Sequence, residues 1–203
     1  MTTIFDDAGA ASIRAFHDAR VADVDWAATA AAAHAEGLWR WIETNHRCNT
    51  LLWDEEDRAR RRDVPDAAIA ANKRAIDGYN QRRNDAIENV DEALLGRLAG
   101  VSLRADAWHN SETAGAMVDR LSILALKSFH MELQTRRADA SPEHVAACRD
   151  KLARLVAQRD DLARCYDALL ACALEGRAFW RVYRQFKMYN DPALNPYLHG
   201  GRR

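Results

Sequence analysis

Residues 65–98 read PDAAIAANKRAIDGYNQRRNDAIENVDEALLGRL. A seven-residue seam through this stretch runs Ile69, Lys73, Ile76, Asn80, Arg83, Ile87, Val90 and Leu94, the spacing of one helix face. The seam is aliphatic at both ends and polar in the middle. Lys73, Asn80 and Arg83 stand where a plain bundle helix would carry leucine, and Asp77, Asn84, Glu88 and Asp91 crowd the adjoining edge. Burying charge is costly unless it is paired or meets another polar group. The stretch therefore predicts a bundle helix that holds polar side chains against its neighbours.

Working outward, the same pattern recurs. Residues 1–22 form an N-terminal segment with a short amphipathic helix on Ile13, Phe16 and Val21. A long helix is expected over residues 25–61, with Asp23 or Asp25 as its cap and the alanine tract 27–33 inside it. Its apolar face carries Leu38, Trp41, Ile42, Leu52 and Trp53, interrupted at three- and four-residue steps by Asn45, His46, Asn49 and Glu56. Val64-Pro65 ends that helix and starts the next, because proline suits a first turn. Residues 99–110 read as a loop, with Asn110 or Ser111 capping a helix over residues 112–137. That helix is apolar around most of its circumference, which places it centrally, yet it carries Asp119, Arg120, Lys127 and His130. Ser141-Pro142 opens a fourth long helix reaching residue 174. A short aromatic helix over residues 179–189 and a turn segment NDPALNPY follow, and residues 199–203 read as a flexible tail. The prediction is an all-α, single-domain bundle over residues 23–198, of four long helices plus one or two short ones.

Composition narrows the function classes. With 29% charged residues and a net charge of −1, the chain has no cationic excess, which argues against nucleic acid as a partner. No apolar run is long enough to span a membrane, and the opening residues lack the basic region of a secretory signal. Cys48, Cys148, Cys165 and Cys172 show neither metal nor disulfide spacing and read as reduced core thiols, so a cytoplasmic protein is expected.

Three chemistries fit the polar positions. In the first, Glu88 and Asp91, one helical turn apart, meet Glu56 and Asp57 from the preceding helix around Mg²⁺, which takes oxygen ligands and usually a phosphate. This arrangement resembles the all-α nucleotide pyrophosphohydrolases, although the upstream pair is not a clean ExxE. In the second, Glu43 and His46 supply half of a carboxylate–histidine di-iron site, but no second ExxH is present. In the third, no metal takes part. Arg83, Arg120, Lys73 and Lys127 hold phosphate or carboxylate, Asn45, Asn49, Asn80 and Asn84 read hydroxyls, and Trp39, Trp41 and Trp53 stack on a base or sugar ring. Against all three stands a purely architectural salt-bridge network that fixes helix register.

The blocks LLWDEEDRAR, KRAIDGYNQRRNDAIENVD, DRLSILALKSFHM and QFKMYNDPALNP resemble the bacterial domain of unknown function family 4254, over roughly residues 45–196. Positions matching that family's pattern include Trp53, Glu56, Asp57, Lys73, Asp77, Asn80, Arg83, Asp85, Glu88 and Asp91. Asp119, Arg120, Lys127, His130, Lys187, Tyr189, Asn190, Asp191 and Asn195 match it as well. The resemblance implies an all-α bacterial protein with relatives in surface-polysaccharide gene neighbourhoods, and it implies no reaction. The leading expectation is a bundle whose polar centre binds an anionic small molecule such as a nucleotide, sugar nucleotide or phosphosugar, with Mg²⁺ and hydrolytic or transfer chemistry. In that reading Glu56, Asp57 and His130 are catalytic, and Glu88 and Asp91 hold the metal. Trp53, Lys73, Asp77, Asn80, Arg83, Asp119, Arg120 and Lys127 bind the ligand. The competing class is a non-catalytic protein that acts as a homo-oligomer or as partner of a glycan-assembly enzyme.

Overall fold

The computed structural model describes residues 5, 7–23, 25–188 and 191–198. Four long helices carry the fold: α3 (Gly37–Arg58), α4 (Asp66–Arg97), α5 (Ala114–Thr135) and α6 (Pro142–Leu174), preceded by α1 (Ala10–Val21) and the single turn α2 (Trp26–Thr29). α3 and α4 form an antiparallel hairpin, α5 packs on α6, and α1 lies across α5, α6 and α3. The helices meet over Ile13, Ile42, Val90, Leu94, Val118, Leu121 and Tyr166, all essentially inaccessible to solvent. Each such aliphatic side chain contributes about 1.5–3 kcal/mol by leaving water. Among the described residues no helix is long and apolar enough to cross a membrane.

Several local expectations needed correction. The long helix expected over residues 25–61 is broken: α2 ends at Thr29, and an irregular segment leads to Gly37, whose φ of +70° suits glycine. Two side chains one turn apart on α3 hold the break. The Glu43 carboxylate accepts the Ala33 N–H at 3.0 Å and the His34 N–H at 3.0 Å. Arg47 donates to the carbonyls of Trp26, Ala27 and Ala30 at 3.0–3.1 Å, covering the C-terminal end of α2. Backbone groups that a continuous helix would pair internally are paired here by a tertiary partner.

The cap of α5 is Thr113, which accepts the Ala116 N–H, and not Asn110 or Ser111. Ser141 caps α6 as expected. The aromatic helix expected over residues 179–189 is absent. Ala178–Phe179 forms a two-residue strand β2, parallel to β1 (Trp108–His109), and the chain then runs without regular structure back along α4. Pairing with β1 holds the segment extended: the Trp108 N–H donates to the Arg177 carbonyl and the Asn110 N–H to the Phe179 carbonyl. Residues 191–198 make turns, as expected of an Asn/Asp-Pro segment. The tail expected at 199–203 lies outside the described residues, as do Tyr189 and Asn190.

Candidate functional site

The polar stripe of α3 turns inward at Asn45, His46 and Asn49, all at most 4% exposed. α5 meets it with Asp119 and Ser122. One oxygen of Asp119 accepts the side-chain amides of Asn45 at 2.8 Å and Asn49 at 2.9 Å. The Ser122 hydroxyl sits 3.0 Å from the Asn49 amide and 2.8 Å from His46 Nδ1. α4 completes the group with Arg83, whose Nε lies 3.8 Å from the same Asp119 oxygen. Side chains of three helices thus converge inside the bundle.

Two clefts flank this convergence, and Arg83 lines both. The first, a cavity of about 300 Å³ between α3, α4 and α5, is also walled by Asn49, Trp53, Glu56, Asp57 and Ile123. Trp53 stacks flat on His130, centroids 4.3 Å apart. Burial pulls His130 below the ordinary imidazole range, while Asp57 and Asp54 pull the other way, so the balance favours the neutral ring. The second cleft, about 350 Å³, includes Asp119, Arg120, Glu88 and Asp91, and residues Val182, Tyr183 and Gln185 form its outer wall.

The expected Mg²⁺ set does not assemble. Glu55 accepts the Asn72 amide near the hairpin turn, and Glu88 lies about 24 Å further along α4. Glu56 and Asp57 therefore face one cleft, and Glu88 and Asp91 the other. The latter pair has other partners. Asp91 accepts the Gly115 N–H at 2.7 Å, at the positive end of α5, and burial pushes its carboxyl up to about 6 against the pull of Thr113, Gly115 and the Trp180 indole. α5 comes so close there that a Cβ on Gly115 would lie 2.4 Å from the Ile87 carbonyl oxygen. Glu88 accepts Arg184 at 2.8 Å and the Gln185 N–H at 3.0 Å. Among the described residues no three His, Cys, Asp or Glu are grouped to hold a metal ion.

Other expected ligand groups also lie elsewhere. Lys73 and Asp77 pair with each other on the exposed face of α4, and neither lines either cleft. Arg120 does line the second cleft but is exposed and held by Glu112 at 2.6 Å, whereas Lys127 is exposed on a groove of about 580 Å³ between α5 and α6. Asn80 is half-buried. Glu43 and His46 diverge: Glu43 holds the α2–α3 break, whereas His46 stacks on the fully buried His17 at 4.4 Å. Burial, with Arg159 and Arg20 nearby, pulls His46 down to about 3. Asn45 and Asn49, expected from sequence to read ligand hydroxyls, are spent on Asp119 and Ser122, and Ser122 belongs to the site although no sequence reading named it. Asn45 and Asn49 carried a signal, their helical step on an apolar face, whereas Ser122 carried none.

Residues 39–182 match the family described as protein of unknown function (DUF4254). The chain belongs to the DUF4254 family. No curated protein and no solved structure matches it. For this DUF4254 chain the matched span takes in α4, α5 and α6 whole and α3 from residue 39 on, and with them the Asn45–Asn49–Asp119–Ser122 group, Arg83, the first cleft and the second cleft apart from Tyr183 and Gln185.

Proposed function

We propose that the chain binds a small anionic molecule of the nucleotide, sugar-nucleotide or phosphosugar class against Arg83. One observation carries this reading. Arg83 stands in the wall of two clefts and makes no hydrogen bond to any described residue; its one ionic contact, to Asp119, is 3.8 Å long. Charge-assisted pairs close to about 2.7–2.9 Å, so the guanidinium keeps its planar fork of donors for something else, and that fork matches phosphate and carboxylate. Asp119 meanwhile does not depend on Arg83, because two asparagine amides hold it. Trp53 adds an aromatic wall to the first cleft, and Glu56 and Asp57 supply acceptors for hydroxyls. The neutral His130 beside them is the group able to accept a proton if the ligand is also turned over.

Thermal melting of the full chain with nucleoside diphosphates, sugar nucleotides and hexose phosphates, with and without Mg²⁺ or Mn²⁺, tests the proposal. A ligand at a hundred times its Kd stabilises the native state by about 2.7 kcal/mol. For a chain of this size that raises the midpoint by several degrees. No shift from any compound contradicts the reading.

A second reading has its own observation. Phe186 and Tyr197 are 86% and 84% exposed, and Met188, Leu194 and Leu198 are more than half exposed, all in one terminal stretch. Such a concentration of apolar surface fits a protein partner or a second copy of the chain. Light scattering that returns a monomer at all concentrations, together with a ligand-dependent melt, favours the small-molecule reading.

A further inference from the structure

The second cleft is closed by a segment whose attachment is unlike anything else in the fold. Trp180 is 3% exposed and follows directly on β2, so the chain is firmly held up to that point. Beyond it the hold is polar, and its arginine is exposed to water. Arg184 pairs with Glu88 and Glu92, the Gln185 N–H donates to Glu88, and the Asn84 amide donates to the Gln185 side chain. Tyr183 is 57% exposed, with its hydroxyl 3.3 Å from His109. Between Arg181 and Gln185, among the described residues, the Gln185 N–H is the one backbone group bonded to another element. Val182, Tyr183 and Gln185 nevertheless form a wall of the cavity that contains Arg83, Asp119 and Arg120.

We propose that residues 181–188 are a releasable strap over the Arg83–Asp119 cleft, hinged at Trp180 and clipped to α4 by Glu88 and Glu92, so that the second cleft opens when the clip lets go. The inference rests on the ligand-site reading and adds the route by which the ligand reaches Arg83. The physical reason is the contrast in attachment. Exposed ion pairs hold weakly and are screened by salt, whereas the buried Trp180 anchor is not. Elements held by few apolar contacts open locally long before the core unfolds.

Hydrogen exchange of the full chain, followed by mass spectrometry, decides the matter without any ligand. Residues 181–188 should exchange at least about tenfold faster than the core of α5, faster still at high salt, and faster again in Arg184→Glu, which faces Glu88 and Glu92 with a like charge. Exchange across α4 and α5 should not change. If the variant is poorly folded, Arg184→Gln gives the same comparison with a milder change. Protection of 181–188 equal to that of α5, or exchange indifferent to both salt and Arg184, overturns the strap. Pyrophosphate is then added as probe: faster association in Arg184→Gln with unchanged exchange elsewhere supports the route, and slower or unchanged association overturns it. A chain that shows the exchange pattern but binds neither pyrophosphate nor any nucleotide has lost the ligand site and kept the mobile segment, so the two failures are distinguishable.

Discussion

Between α3 and α5 the polar side chains are dry: Asn45, Asn49 and Ser122 are at most 4% exposed, and each bonds another protein atom. Between α4 and the C-terminal segment the ion pairs reach water: the Arg184 side chain is 58% exposed and Glu92 45%, although Glu88 is only 14% exposed. Both seams join distant parts of the chain through asparagines, carboxylates and an arginine. In the dry seam each lost partner leaves a desolvated group stranded, so the seam fixes geometry. In the wet seam water replaces a lost partner of Arg184 or Glu92, so that contact fixes little and can open. Arg83 stands where the two meet, loosely paired and bordering both clefts.

The largest effect should come from breaking the dry seam. Asp119→Ala strands the Asn45 amide, leaves the Asn49 amide only Ser122 and Asn45, and should cost about 3 kcal/mol in urea denaturation. Acid sharpens the picture at the neighbouring His17–His46 stack. In the unfolded chain His46 titrates near 6.5, and in the folded chain near 3. The unfolded state therefore takes up protons first as pH falls. Stability should be full above about pH 6.5 and decline toward pH 3, by on the order of a few kcal/mol, with His17 acting in the same direction. Asp91 opposes this. Its carboxyl, at 3.8 when unfolded and about 6 when folded, contributes most below 3.8 and loses that contribution as pH rises through 6. In Asp91→Asn the decline toward low pH should accordingly be steeper, measured as the urea midpoint between pH 7 and 4.

A smaller effect is expected of Gly115→Ala, whose new methyl meets the rigid Ile87 carbonyl and should cost about 1–3 kcal/mol, read as a lowered melting midpoint. Smallest of all, Arg184→Gln in the wet seam should leave that midpoint where it was.

The all-α fold of four long helices was legible because helical periodicity and the Pro65 and Ser141 starts are local signals. The inward polar stripe of α3 was legible for the same reason. The seam on α4 was less so: a straight helix drifts about 20° per heptad from a seven-residue repeat, so only Ile76, Val90 and Leu94 of that seam are buried, while Lys73 has rotated to the surface. The supposed metal cluster failed on register. In an antiparallel hairpin, residues near the turn oppose residues near the turn, so Glu56 cannot reach Glu88. The break at residues 30–36 had Gly37 as its one local mark, and Glu43 and Arg47 impose it from another helix. The extended course after Phe179 likewise depends on β1 and on Glu88, both far away in sequence.

The most direct measurement is the urea unfolding free energy of Arg83→Leu beside wild type, each with and without a ligand that shifts the wild-type melt. A guanidinium kept for a ligand leaves the free protein as stable as before, or more so, and the ligand-induced gain disappears. A loss of more than about 2 kcal/mol in the free protein, with the ligand-induced gain intact, would make Arg83 a register lock and contradict the binding site.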